Sequence, residues 1–344
     1  MSTLYIDRKN VELRLDGKTI ACYENNERTG TIPLTLLERI VLKGDVTLHA
    51  NLLGKLGENG TGIVCLSGRK NEVSLMVPRP HHDAERRITQ YHLSTNPAHC
   101  TAFAQQIIDM KISRQVNLLD EMRQRHPESR YKLTFCIRHL DNALLALRKQ
   151  PDIPAIRGIE GNAAAHYFAG LAAILPERLH FSGRNRRPPK DPFNAAISLG
   201  YTLLFSKTVI ALYSAGLDPF VGFYHALDFG RESLACDLVE PFRAEIDRFV
   251  LNLFSQETLR PEDFKVVDDA CLMNKTARIA FYRQYEPFYD SIKGEIQKTI
   301  GDICHAIKTK SDLLFPQTKV VTRNICQGTE EFETTCQDFL KEAA

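Results

Sequence analysis

The feature that most constrains this chain is a change of hydrophobic period between its first eighty residues and the remainder. Early on, Leu4 and Ile6 alternate with Tyr5 and Asp7, and Val11, Leu13 and Leu15 alternate with Glu12, Arg14 and Asp16. A period of two places one set of side chains on one face of a strand. The pairs Asp16-Gly17 and Asn59-Gly60, with Gly44 and Gly68, break up further apolar runs at Ile40–Leu42, Val46–Leu48, Gly62–Leu66 and Val73–Val77. A short helix is expected at Leu52–Leu56. Short strands with regular turns predict a small sandwich or curled sheet. Pro78-Arg79-Pro80 closes this part, because two prolines in three residues cannot continue a central strand.

From about residue 97 the period becomes helical. Asn96 before Pro97 is a cap followed by a favoured first helical residue. Phe103, Ile107, Ile108 and Met110 begin an apolar face that continues through Ile112 and Val116 to Leu119 and Met122. Further helices are predicted over Leu133–Leu147, the small-residue run Ala155–Gly170, Asn194–Leu212, Ala244–Phe254 and Tyr282–Lys308. A hairpin is predicted over 263–280, its arms being Val266-Val267 and Ile279-Ala280-Phe281. The expected class is therefore α+β: a small N-terminal β-sandwich-like domain (1–80), a larger all-α domain (81–315) carrying the chemistry, and a weakly specified tail (316–344).

Composition excludes more than it selects. The net charge of +2 does not by itself mark a nucleic-acid binder. The nine cysteines are scattered and form no C-x-x-C, which removes support for a zinc site or a disulfide framework and favours a reducing, cytoplasmic setting. No run approaches ~20 consecutive apolar residues, so no membrane span is expected. The N-terminus reads as a strand and lacks the apolar core of a signal peptide.

Chemistry-bearing residues gather between Gly222 and Arg243. His225 follows a glycine and two aromatics, and Asp237 and Glu240 lie three apart, roughly 60° around a helix axis. A His and a carboxylate pair, joined by a third carboxylate from elsewhere, suit a hard divalent ion. Glu160, among the small residues of 155–170, is the candidate third acid. Ordinary roles stay open for each: Glu160 paired with Arg157, His225 satisfied in a core, Asp237 and Glu240 on a solvated face. Arg184, Arg186, Arg187 and Lys190 crowd a proline-containing segment suited to phosphates or simply to water. His81-His82 lies in the linker, where surface histidines are ordinary.

These blocks resemble the signature of CRISPR-associated protein one, the CRISPR adaptation (spacer-acquisition) endonuclease and integrase family. That family carries G-F-x-H followed by G-R-x-S-L-A-x-D-L-x-E-x-F-R; the chain reads Gly222-Phe223-Tyr224-His225, then Gly230 through Arg243 in the same pattern. An earlier G-x-E-G-x-A-A block is matched by Gly158–Ala164, and the intervening basic loop, P-x-N-A and Y-x-x-L by Arg184–Lys190, Pro192–Ala195 and Tyr201–Leu204. The resemblance covers about residues 1–310. It implies an antiviral-defence enzyme that joins short captured DNA to a CRISPR repeat by transesterification. Mg²⁺ or Mn²⁺ would be held by Glu160, His225 and Glu240. Asp237 would be a neighbouring acid, either behind the ligands or an alternative ligand. Arg184, Arg187, Lys190 and Arg231 would contact DNA. It also implies a homodimer through the strand-rich domain and a small adaptation subunit, CRISPR-associated protein two, as partner. The alternatives are a metal-dependent nuclease on branched or single-stranded DNA, and a DNA-binding scaffold without catalysis.

Overall fold

The structure is a computed structural model that describes residues 2–67, 72–76, 83–185 and 188–310. The strand-rich part opens with β1 (Ser2–Ile6), β2 (Val11–Asp16), β3 (Thr19–Glu24), β4 (Glu27–Pro33), β5 (Leu37–Leu42) and β6 (Val46–Leu48). Helix α1 (Ala50–Glu58) follows, and β7 (Gly62–Ser67) and β8 (Glu72–Met76) complete it. Two four-stranded sheets result, ordered β1-β5-β7-β8 and β4-β3-β2-β6. In the first, β5 pairs parallel with both β1 and β7, and β8 closes the edge antiparallel to β7.

The period-two pattern explains the core between them. Val11 and Leu13 of β2, Ile20 of β3 and Ile40 of β5 point inward, and Leu52 and Leu56, one helical turn apart on α1, fill the space. The expected helix at Leu52–Leu56 is thus the middle of α1.

The helical part contains α2 (Ala84–Ser94), α3 (Pro97–Arg125), α4 (Arg130–Leu147), α5 (Ile153–Ala172), α6 (Pro192–Ser214), α7 (Ser233–Val239) and α8 (Arg243–Ser255). A hairpin of β9 (Phe264–Val267) and β10 (Ala270–Met273) precedes α9 (Lys275–Thr309). Strands first and a larger helical part after is the expected α+β arrangement. Asn96 caps α3 and Pro97 opens it, as its sequence indicates. Two readings need correction. The second arm of the hairpin is Ala270–Met273, whereas Ile279–Phe281 lie inside α9, because Asp268 and Asp269 both take positive φ in a two-residue turn and Asn274 then caps a new helix. Helix α2 was not anticipated: it is polar, and its main start signal is the Asp83 side chain accepting from the Arg86 N–H. The linker prolines, His81, His82 and the tail from 316 lie outside the described residues.

Helix α6 runs through the middle of the helical part. It is long and apolar enough to cross a membrane by length and composition, yet 67% of its most apolar window is buried inside the protein, as befits a core helix. One polar intrusion is Lys207, which is 4% exposed. Its ammonium meets both oxygens of Glu286 at 3.1 Å and lies 3.6 Å from the centre of the Tyr289 ring. Burial, then the charge of Arg39, lowers its pKa to about 7. Glu286 also accepts from Thr3 Oγ1 (2.8 Å) and Tyr5 Oη (2.5 Å) of β1, and Asp7 pairs with Arg278 at 2.7 Å. The strand-rich and helical parts therefore meet across a charged, hydrogen-bonded seam. The seven described cysteines are all free thiols.

Candidate active site

Three elements converge on one buried cation. Lys111 sits midway along α3, within a buried stripe that includes Ile107, Ile108, Ile112 and the polar Gln115, and is 6% exposed. A lysine so placed needs an anionic partner, since an unpaired buried charge is costly. It has two. Its Nζ donates to Glu160 Oε1 from α5 and lies 2.7 Å from Glu240 Oε2 at the end of α7. The remaining oxygens are also engaged: Tyr224 Oη donates to Glu160 Oε2, and Arg243 Nε lies 2.9 Å from Glu240 Oε1.

Glu240 reaches this place because of its successor. Pro241 has no N–H, so the regular helix stops at Val239 and Glu240–Phe242 form a single tighter turn before α8. Glu240 is 3% exposed. Burial alone would raise its pKa, but the Arg243 and Lys111 charges overcome this and hold the carboxyl well below the usual carboxylate range. Although the Lys111 ammonium is at ion-pair distance, no aligned hydrogen bond reaches Glu240 Oε2. A buried anionic oxygen without a directed donor is suited to a spherical cation.

His225 is fixed from behind. Asp237, fully buried on α7, accepts from the backbone N–H groups of Phe223 (2.8 Å), Tyr224 (3.0 Å) and His225 (2.8 Å) and from His225 Nδ1 (2.7 Å). A carboxylate only accepts, so Nδ1 carries the proton and the lone pair of the neutral ring is on Nε2. That is the usual arrangement behind a metal-binding or proton-accepting imidazole. Gly222 makes it possible: a Cβ there would stand 2.7 Å from Asp237 Oδ2 and 2.7 Å from the Ser233 carbonyl carbon. The pair at 237 and 240 is thus divided in function. Asp237 is used up in holding the loop, and Glu240 faces the shared cation.

Arg157 does not pair with Glu160. Its guanidinium donates to the Tyr224 carbonyl at 3.0 Å and lies over the Tyr224 ring. Burial, followed by the Glu160 charge, pushes the Tyr224 phenol well above 10, so it remains a donor. Lys111 and Tyr224 are the participants that motif reading missed. The signal for Lys111 was available, as a lone lysine on an otherwise apolar helix face.

The basic loop is built more than it is free. Arg184 donates to Asn194 Oδ1 (2.6 Å) and Ser198 Oγ (3.1 Å) and stacks over Tyr201, against whose ring Arg243 also lies. Asn194 additionally donates to the Gly183 carbonyl and to Asp191, and the Cys271 N–H of β10 donates to the Pro189 carbonyl. Lys190 is exposed, and Arg231 is exposed beside Asp228 at 3.7 Å. Arg187 lies outside the described residues.

The donor set of Glu160, Glu240 and the His225 Nε2 fits a hard divalent ion in chemistry. Among the described residues, however, no three such side chains are already arranged around a common point as metal ligands. Lys111 supplies the positive charge between the two glutamates.

The chain thus places strands before helices, and it joins Glu160 of α5 to Glu240 of the α7–α8 turn through Lys111, beside the loop that carries His225. The family model described as CRISPR associated protein Cas1 matches residues 4–287. A CRISPR-associated endonuclease Cas1 from Thermodesulfovibrio yellowstonii is 38% identical over 304 residues, covering 86% of this chain and 95% of that protein. Among solved structures, a casposase bound to its integration product superposes with a TM-score of 0.82 at 20% identity, covering 99% of this chain and all of that one. A chain of a Cas6-RT-Cas1–Cas2 complex superposes with a TM-score of 0.77 at 22% identity over 91% of this chain and 36% of that one. At such identities the structures speak for the fold alone. The chain belongs to the Cas1 family.

Proposed function

We propose that this protein is a metal-dependent DNA endonuclease and integrase of CRISPR adaptation, joining short captured DNA to a repeat by transesterification. The observation that carries the reading is the convergence of Glu160 and Glu240 on one cation position in a Cas1-family chain. Glu160, Glu240 and His225 Nε2 would hold Mg²⁺ or Mn²⁺. When bound, such an ion supplies positive charge to a phosphoryl oxygen and favours in-line attack.

The chain's own groups do the rest. Tyr224 and Lys111 orient Glu160, Arg243 orients Glu240, and Asp237 holds the His225 ring by Nδ1, leaving Nε2 as its acceptor nitrogen. Lys190 and Arg231 are the exposed cations for phosphates, and Arg184 shapes the loop that carries Lys190. In the joining step the attacking 3′-oxygen bonds to phosphorus as the bond to the target strand's 3′-oxygen breaks. The proton lost by the first hydroxyl is balanced by the one gained by the second, so no external energy source is needed. The same reading includes a homodimer through the strand-rich part (1–80), a Cas2-type subunit as partner, as in the complex named above, and action in the cytoplasm.

The experiment supplies the purified protein, a Cas2-type partner, short duplex DNA and a repeat-bearing plasmid. Joined product is expected with Mg²⁺ or Mn²⁺ and at least ~100-fold less with Glu160→Ala or His225→Ala, the scale of losing one charge-stabilising group. Joining that persists in those variants removes the site assignment, and joining in EDTA removes the metal. The relatives' name of endonuclease supports a second reading, hydrolysis without joining, which predicts cleaved and unjoined DNA in the same assay.

A further inference from the structure

A buried lysine between two site carboxylates has a consequence for how the site fills. We propose that Lys111 is a built-in counter-cation: it holds Glu160 and Glu240 together while no divalent ion is present, and it competes with that ion for them. The inference rests on the metal reading above and concerns the protein before DNA arrives.

Three observations carry it. The Lys111 Nζ contacts one oxygen of each glutamate, so a single positive charge already partly neutralises the two acids that would hold the ion. The Lys111 side chain is only 7% exposed and the Glu240 side chain 4%, so water screens this interaction little. The second oxygen of each acid has its own fixed partner, the Tyr224 hydroxyl donating to Glu160 and the Arg243 guanidinium at an ion-pair distance of 2.9 Å from Glu240. Each glutamate therefore turns a single oxygen toward the shared position, and Lys111 already occupies the attractive point between them. An entering ion must displace the ammonium or bind beside it against like-charge repulsion.

A purely structural lysine would make a different prediction. Removing it would weaken the fold and leave ion binding unchanged or poorer. A competing cation predicts the opposite sign for binding. Lys111→Met and Lys111→Gln are of similar length and remove the charge. They leave Glu160 and Glu240 as neighbouring anions with less compensation, which an entering ion relieves.

The test is Mn²⁺ binding to the full chain without DNA, read from the free Mn²⁺ electron paramagnetic resonance signal and by calorimetry, with thermal melts in EDTA and in Mn²⁺. The expected result is at least tenfold tighter Mn²⁺ binding by either variant than by the wild type. Their melts are expected to be lower in EDTA, with a larger upward shift on adding Mn²⁺. Lys111→Arg, which keeps the charge, should bind no tighter than wild type. Variants that fold only with Mn²⁺ also support the proposal, because the ion then replaces the lysine. Affinity unchanged within twofold, weaker affinity, or variants that Mn²⁺ cannot restore would overturn it. If neither wild type nor variants bind Mn²⁺, the metal reading itself falls. If the wild type binds and the variants match it, only the role of Lys111 falls.

Discussion

Asp237→Asn is the most informative single change in the site, since it alters one atom and tests how His225 is held. The wild-type carboxylate accepts four hydrogen bonds, two on each oxygen: Phe223 N and Tyr224 N on Oδ2, His225 N and Nδ1 on Oδ1. An asparagine has one carbonyl oxygen, so in either orientation its NH₂ meets two N–H donors. With the NH₂ toward Phe223 and Tyr224 two bonds are lost; with it toward His225 the backbone N–H bond is lost, while the imidazole can move its proton to Nε2 and accept at Nδ1. Hydrogen bonds to a charged group are worth about 1.5–3 kcal/mol each, which gives a loss of about 1.5–6 kcal/mol depending on which way the amide faces. That is a large share of the roughly 5–15 kcal/mol that holds a domain together. Two measurements read it. Urea denaturation should show a fall of at least about 1.5 kcal/mol, or release of the 222–226 loop seen as faster amide exchange at Phe223, Tyr224 and His225. The ¹⁵N spectrum of labelled histidine should show His225 losing its preference for the proton on Nδ1. A variant with stability within about 1 kcal/mol of wild type and an unchanged His225 tautomer would refute the argument, because the four bonds would then carry neither energy nor orientation.

Two other substitutions probe neighbouring features. Gly222→Ala forces a methyl to 2.7 Å from both Asp237 Oδ2 and the Ser233 carbonyl carbon, so it should reproduce much of the Asp237→Asn phenotype, with destabilisation of about 1–3 kcal/mol; wild-type amide exchange at 223–225 would count against the close approach. Asp247 is buried between the hydroxyls of Tyr167 and Tyr201, and burial, opposed by those hydrogen bonds, raises its pKa from 3.8 to about 6. The folded state therefore keeps this proton more tightly than the unfolded chain. The associated stability is complete below about pH 3.8 and is lost as pH rises through about 6, a difference of about 3 kcal/mol. The stability of Asp247→Asn relative to wild type should climb by that amount between about pH 4 and pH 7 in urea titrations, and a flat difference would show that the carboxyl is not perturbed.

The strand-rich part was legible because alternation survives in Val11, Leu13 and Leu15 and because glycine turns separate the runs. Glu160, His225 and Glu240 stand out in the sequence as candidates in ordered blocks, and the fold brings two of them, Glu160 and Glu240, to Lys111. What escaped was what distance along the chain conceals. Lys111 lies 49 residues before Glu160, and no local pattern announces their pairing. The roles of Asp237 and Glu240 were inseparable by spacing alone; the difference comes from Gly222, which lets three consecutive N–H groups reach Asp237, and from Pro241, which turns Glu240 away from the α7 ladder. The misplaced hairpin arm has a local cause. Ile279-Ala280-Phe281 is apolar enough for a strand, and the Asn274 cap that starts α9 is a weaker mark than the run itself.

The polar seam around Glu286 bears on how such a protein can be divided or inherited. Arg39 is 4% exposed and contributes to the charge balance of both Lys207 and Glu286, while Thr3 and Tyr5 supply two of the donors to Glu286. Cutting the chain at the linker would leave a buried arginine and two side-chain hydroxyls on one fragment without their carboxylate, and on the other a carboxylate with only Lys207 left of its three side-chain donors. Exchanging one part between homologues meets the same difficulty unless residues 3, 5, 39, 207 and 286 travel together. The two parts are thus bound as a heritable unit by a handful of polar side chains far from the catalytic candidates.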